Sequence, residues 1–346
     1  MKNVSLLDCT LRDGGYINDW RFGESAIDDM AKKLEETKVD IIELGFLKNE
    51  PYQADRTVFY DAKQISKFIH KKNENQMYAA MVEVVNPLPI ELLERAENTD
   101  IDIIRVIVWK TKRDSDGVEI DALTEGYEYC KGVVEKGYKL CVQPARVDQY
   151  SDEEFVEMVE RFSTLNPLAI YVVDSWGTQN SSQLLHYMKL ADEHMSKEIC
   201  LGYHGHNNLM QAFSVAVDFM NYGFARRLII DASVYGVGRG AGNLNLELIA
   251  RYMNVMMNCD YRIEPMLEIF GQHLKKIFEE TPWGYSMEHY ITAIHNSNPN
   301  YGDYYARERK LSAQDINRIM GRIPEKERII FTKDKAKKYE EIYLNS

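Results

Sequence analysis

The sequence predicts an α/β protein built as a (β/α)8 TIM barrel with a mainly helical C-terminal region. Three observations carry that prediction. Short β-rich runs alternate with longer amphipathic segments, eight such runs occur, and each strand-plus-helix unit takes about 30 residues, the length of a βαβ repeat. Eight units in about 255 residues match the usual size of such a barrel, about 250. A doubly wound sheet would use fewer strands and want a phosphate fingerprint after its first one. Residues 9–14, CTLRDG, contain no GxGxxG.

The strands are expected at 4–8 (VSLLD), 40–46 (DIIELGF), 77–84 (MYAAMVEV), 102–109 (DIIRVIVW), 138–145 (YKLCVQPA), 169–174 (AIYVVD), 198–204 (EICLGYH) and 227–233 (RLIIDAS). Several are near-continuous apolar runs, as parallel strands covered by helices require. Helical patterns lie between them at 25–37, 123–137, 151–163 and 208–223. The third opens with Ser151 and carries Glu154 three residues on, a capping box. Gly137 and Gly223 stand where helices must end before the next strand.

Near residue 259 the alternation stops. Residues 264–280 read as one helix, and further helical patterns follow within 281–298, 312–327 and 334–346. The expected division is a catalytic barrel over 1–258 and a helical region over 259–346 that packs on it.

Hydrophobic residues at 45% and charged ones at 28% fit a globular protein with a sizeable core. The net charge of -12 argues against a general binder of nucleic acid or anionic membrane. An anionic substrate therefore needs a positive site built locally. The five cysteines are scattered, with no CxxC pair, and read as reduced thiols. Met1 leads straight into a strand-like run without a basic leader, and no apolar stretch approaches the roughly 18 residues of a membrane helix. A cytoplasmic location is expected.

Active sites of such barrels lie at the C-terminal ends of the strands. The end of the first strand supplies Asp8, Arg12 and Asp13, and the end of the seventh supplies YHGHNN, residues 203–208. Residues two apart in an extended run face one side, so His204 and His206 can both point to the barrel axis. Two imidazoles and a carboxylate at one mouth make a divalent-metal site with open positions. A single histidine at a strand end is more often hydrogen-bonded surface or core; the pairing of HxH with RDG shifts the balance. After the eighth strand, YGVGRGAGNLNLE (235–247) carries four glycines that permit close backbone approach, then Asn243 about where a helix N-cap should be. That loop either binds a ligand or merely turns the chain.

DCTLRDGGY, IIELGF, VVDSWG, YHGHNN and GVGRGAGNLNLE fall in the order and spacing of the HMG-CoA-lyase-like (DRE-TIM) metal-dependent barrel superfamily. The resemblance spans about residues 4–250 and is greatest to the class II 4-hydroxy-2-oxovalerate aldolase branch. The synthases of the superfamily usually read RDGEQ, and here Gly15-Tyr16 replaces Glu-Gln. The resemblance implies an aldolase that joins pyruvate or a related 2-oxo acid to an aldehyde with Mn2+ or Mg2+. Asp13, His204 and His206 would hold the metal, with Asn243 supporting it. Arg12 would stabilise the enolate, and Ser175 would hold the 2-oxo acid carboxylate. Glu43 would be more often a supporting carboxylate than a ligand. Arg239 would either meet a distal substrate anion or be a solvated loop charge.

One departure stands out. The aldolases usually keep a histidine at position 16 to deprotonate the substrate hydroxyl, and this chain has Tyr16. Tyr16 itself, Tyr285, His289 and Tyr290, or metal-bound water, are the candidates for that proton, and WGYSMEHY (283–290) loosely matches the aromatic hydroxyl that the aldolases draw from their C-terminal region. The alternatives are a Claisen-type acyl-CoA condensing enzyme and a catalytically silent scaffold. The resemblance also implies an aldehyde dehydrogenase partner; a homo-oligomer is expected, and the charge and hydropathy predict no nucleic-acid or membrane partner.

Overall fold

A computed structural model describes residues 3–71, 75–113 and 119–345. Met1 and Ser346, the ends of the expected division, lie outside them.

Eight parallel strands form the barrel: β1 (Val4–Asp8), β2 (Ile41–Leu47), β3 (Met77–Glu83), β4 (Ile103–Val108), β5 (Lys139–Pro144), β6 (Ala169–Asp174), β7 (Cys200–Gly205) and β8 (Leu228–Ala232). Each pairs with the next in sequence, and β8 pairs with β1 to close the ring. All eight coincide with the expected runs to within two residues. The two-residue strand Val58–Phe59 extends β2 at its end.

Strand alternation sorts the core into two layers. Leu7, Ile41, Ala79, Ile103, Cys141, Ala169 and Ile229 share one buried cluster inside the barrel. Their neighbours Leu6, Ile42, Ala80, Ile104, Val142, Ile170 and Ile230 pack outward with the helices. The helices after β1, β4, β5, β6, β7 and β8 run Glu24–Glu36, Leu123–Glu135, Asp152–Ser163, Ser181–His194, Ala212–Asn221 and Leu246–Met256. Ser151 and Glu154 form the expected reciprocal capping box. Gly137 and Gly223 take φ of 90° and 91°, the left-handed conformation a helix end uses.

The repeat is irregular in its second and third units. After β2 the helix is only Ala62–Ser66, and between β3 and β4 a single 3-10 turn, Ala96–Asn98, stands in place of a helix. Pro87 and Pro89 there lack the N–H groups an α-helix interior would use.

The C-terminal region is helical. The run expected as a single helix over 264–280 is helical without a break, its α-helical parts Glu264–Ile269 and Lys275–Glu280 joined by the π-turn Phe270–Leu274. Both Phe270, inside that turn, and Phe278 reach the ring of Tyr235, with centroids 4.2 and 5.3 Å away. Later helices build their own core around Tyr301, Tyr305, Ile316 and Ile319. Polar contacts tie the region to the barrel mouth: Trp283 Nε1 donates to the Tyr235 carbonyl at 2.9 Å, and Arg239 to Asn298 Oδ1 at 3.0 Å. Among the described residues no helix is long and apolar enough to cross a membrane.

Candidate active site

Strand parity dictates what the barrel mouth contains. Beyond the apolar layer, the inward positions become Glu43 on β2, Glu83 on β3, Arg105 on β4, Gln143 on β5, His204 on β7 and Asp231 on β8. Just past β1 the short helix Thr10–Asp13 carries Arg12 and Asp13 across the opening. Gly15 permits this path: a Cβ there would lie 1.9 Å from the Trp20 ring, whose Nε1 donates to the Arg12 carbonyl at 2.7 Å.

Asp13, His204 and His206 converge as the sequence predicts, all buried, with candidate ligand atoms within 4.8 Å of one another. Asp13 Oδ2 stands 3.7 Å from His204 Nε2 and 3.8 Å from His206 Nε2. The other nitrogen of each ring is already committed. His204 Nδ1 lies 3.0 Å from Asp231 Oδ2, and His206 Nδ1 lies 3.1 Å from the Arg239 carbonyl. That arrangement orients both free nitrogens toward Asp13, as supporting hydrogen bonds do for metal ligands.

Electrostatics agree. Burial holds His206 down to about 4, keeping the imidazole neutral and its lone pair available. Burial alone would raise the Asp13 carboxyl, but Arg12 and the two histidines outweigh it and hold it at about 2. Asp13 Oδ2 has no hydrogen-bond partner among the described residues despite full burial, and neither has Asn243 Oδ1. An orphaned carboxylate oxygen beside two aimed imidazole nitrogens is the donor set a divalent cation satisfies.

A ring of buried charge lies beneath. Arg12 Nη1 meets Asp13 Oδ1 at 3.0 Å, and its Nε donates to Glu43 Oε2 at 2.8 Å. Glu43 also pairs with Arg105 Nη1 at 2.8 Å, and Arg105 Nη2 bonds Asp231, which holds His204. Three carboxylates against two guanidiniums leave one formal negative charge, a buried excess that a cation would compensate. Glu43 is thus a support for Arg12, in line with the sequence reading.

The glycine-rich loop and the YHGHNN segment interlock. His206 bridges to Asn243, Asn207 N–H donates to the Gly242 carbonyl at 2.8 Å, and Asn208 Oδ1 accepts from Ala241 N–H at 3.1 Å. Gly238 lies so close that a Cβ would meet Asn243 Nδ2 at 2.2 Å. Asn243 is not the helix N-cap the spacing suggested: Asn245 occupies that position before Leu246–Met256, and Asn243 is drawn into the site.

A chamber of about 70 Å³ sits over the cluster, bounded by Arg12, Asp13, Tyr16, Ser175, His204 and His206, with Arg239 at its edge. Ser175 Oγ accepts from the Arg146 N–H at 3.1 Å. Arg239 is half-buried beside Tyr16 (5.8 Å to the ring centroid), so it is not a solvated loop charge. Tyr16 packs edge-on against Trp20, and its exposed part opens into the chamber. Burial of its hydroxyl end, and after it the Glu83 carboxylate, push its phenol above the ordinary value, so the hydroxyl keeps its proton at neutral pH. The structure does not bring Tyr290 to this chamber: it is exposed on the helix Met287–Ile294, and Tyr285 lines a separate cleft beside Trp283. His289 is buried next to Asp303 (3.3 Å) and does not line the chamber either.

Glu83 and Gln143 are lining residues that no sequence motif marks. Glu83 closes β3, its Oε1 accepting from Trp109 Nε1 at 3.1 Å, and Gln143 lines the chamber from β5, its Nε2 buried and without a hydrogen-bond partner among the described residues. Counting inward from Ala79 and Cys141 by twos finds both. A larger cavity of about 1190 Å³ opens at the opposite end, beside Lys32, Asp40 and Arg262, and holds none of these groups.

The HMGL-like family model matches residues 3–269. A 4-hydroxy-2-oxovalerate aldolase of Bacillus thuringiensis is 25% identical over 257 residues, covering 73% of this chain and 70% of that protein. In structure, the hydroxymethylglutaryl-CoA lyase from Pseudomonas aeruginosa superposes with a TM-score of 0.63 at 14% identity, covering 80% of this chain and 92% of that one. The carboxyl transferase domain of Rhizobium etli pyruvate carboxylase, solved with pyruvate, gives 0.65 at 13% identity, covering 99% of this chain and 60% of that one.

Proposed function

The chain belongs to the HMGL-like family, and from that premise we propose that it is a divalent-metal-dependent aldolase acting on pyruvate or a related 2-oxo acid. In the condensing direction C3 of the 2-oxo acid loses a proton and bonds to the carbonyl carbon of an aldehyde. The aldehyde oxygen gains a proton, giving a 4-hydroxy-2-oxo acid; cleavage is the reverse. The observation that carries the reading is the convergence of Arg12, Asp13, His204 and His206 at one barrel mouth. Relatives named 4-hydroxy-2-oxovalerate aldolase support it.

Asp13, His204 and His206 would hold the ion, with Asn243 Oδ1 beside them; the oxygen donors suit Mn2+ or Mg2+, and the two imidazoles favour the transition ion Mn2+ of that pair. Such an ion supplies Lewis-acid polarisation of the 2-oxo acid carbonyl. Arg12, fixed by Glu43 and Asp13, brings positive charge to the oxygen on which the enolate develops. Donors of that kind are worth about 2.7–4 kcal/mol of barrier. Ser175 and the unpartnered amide of Gln143 receive the substrate carboxylate. Tyr16 donates to the aldehyde-derived oxygen. Glu83, oriented by Trp109, takes the hydroxyl proton in cleavage, the role that the resemblance gives to a histidine at position 16.

Incubation of the protein with Mn2+, pyruvate and a panel of aldehydes, followed by loss of pyruvate, tests the reading. Consumption with at least one aldehyde supports it. Release of CoA thiol from acetyl-CoA plus 2-oxo acids, with no aldehyde-dependent loss of pyruvate, replaces it with the Claisen alternative.

A further inference from the structure

The 70 Å³ chamber adjoins a second one of about 400 Å³, and Tyr16, Glu83 and Arg239 line both. The inner chamber is the smaller of the two, so a longer substrate finds its extra room in the outer one. A carbon chain that continues from the aldehyde carbon would extend past Tyr16 into that outer space.

The C-terminal region forms the far wall of that outer space with Thr281, Asn300, Asp303 and Arg307. Ile17 is the one apolar side chain among the lining residues described. The charges balance, Arg239 and Arg307 against Glu83 and Asp303. They are also committed to fixed geometry: Arg307 Nε lies 3.3 Å from Asp303 Oδ1, and Arg239 Nη2 donates to Asn298. The buried His289 Nε2 lies 3.3 Å from the same Asp303 oxygen.

We infer that this outer chamber is the site of the second substrate and that it takes a neutral, hydroxylated aldehyde such as glyceraldehyde or an aldotetrose. The inference rests on the aldolase reading above and gives it a substrate class. Adjacent hydroxyls can donate to the carboxylates and accept from the guanidinium, amide and hydroxyl groups of the wall. An alkyl chain in the same place would strip water from those groups and return no hydrogen bond. A phosphate would reach Arg239 and Arg307 only beside Glu83 and Asp303, whose like charge opposes it.

The test compares kcat/KM of the full chain, with Mn2+ and pyruvate, for glyceraldehyde, propanal and glyceraldehyde 3-phosphate. Glyceraldehyde is expected to exceed each of the others by at least about 100-fold. Asp303→Asn and Thr281→Val should each cut the glyceraldehyde-to-propanal ratio by at least about fivefold, the loss of one wall hydrogen bond. Exchange of pyruvate C3 protons in D2O without aldehyde reads the parent function separately. If the wild type exchanges those protons yet uses propanal or the phosphate equally well, the substrate class is wrong and the aldolase reading stands. If exchange itself is missing with every divalent ion tried, the aldolase reading falls and takes this inference with it.

Discussion

Asp231 Oδ2 lies 3.0 Å from His204 Nδ1, and the same oxygen bonds the buried guanidinium of Arg105. The contact fixes which nitrogen of His204 faces Asp13, and it links the three-residue cluster to Arg12 through Arg105 and Glu43. The parts of the site are therefore mechanically one unit.

Asp231→Asn should weaken Mn2+ binding by about 10–100-fold, the usual cost of losing such a supporting carboxylate. Isothermal titration calorimetry of the purified variant measures it. Unaltered affinity would mean that His204 is oriented by something else.

Gln143→Leu should raise KM for pyruvate by at least about tenfold, because a hydrogen bond to a charged group contributes roughly 1.5–3 kcal/mol. The aliphatic side chain keeps most of the volume of Gln143 at a chamber wall that Ala145 and Val173 share. Steady-state kinetics at fixed aldehyde would show it, and an unchanged KM would remove Gln143 from the carboxylate site.

Glu83→Gln should lower kcat for aldol cleavage by about 10²–10⁴-fold, the range for loss of a general base. Tyr16→Phe should cost less, since it removes one donor and leaves the proton acceptor in place. If Tyr16→Phe is the more damaging of the two, the phenol carries the proton transfer and the roles are reversed.

Asp174 gives a pH signature of stability. Burial, and then Asp148, raise its carboxyl to about 7, against the lowering effect of the Thr178 and Gln179 N–H groups and Arg146. The folded state therefore holds this proton more tightly than the unfolded chain, whose carboxyl titrates near 3.9. Its contribution is full below about pH 4 and is lost as pH rises toward 7, up to ~4 kcal/mol over that span. Asp8, which burial likewise raises to about 7, gives a parallel fall, so Asp174→Asn should remove about half of the slope in urea denaturation curves taken at pH 4–8. A wild-type slope retained by the variant would assign the effect to another group.

Much of this was readable from the chain because a parallel barrel has simple rules. Apolar runs located all eight strands, and period-two counting aimed His204 and His206 inward with Asp13 opposite. The same counting would have reached Glu83 and Gln143, but neither sits in a recognisable motif. Asn243 was misassigned because spacing alone cannot tell the end of a loop from a helix cap two residues later. Tyr290 rests on a loose match in a region whose path depends on tertiary contacts, and its helix, Met287–Ile294, leaves the ring exposed away from the chamber. Long-range packing, such as Phe270 and Phe278 meeting on Tyr235, leaves no periodic trace in the sequence.

The most direct test of the central claim is proton exchange at pyruvate C3 in D2O, followed by NMR with wild-type protein and with Asp13→Asn. Exchange that requires Mn2+ or Mg2+, stops on chelation and is lost in Asp13→Asn is the predicted result. No exchange with any divalent ion, or exchange indifferent to both chelator and Asp13→Asn, would contradict it.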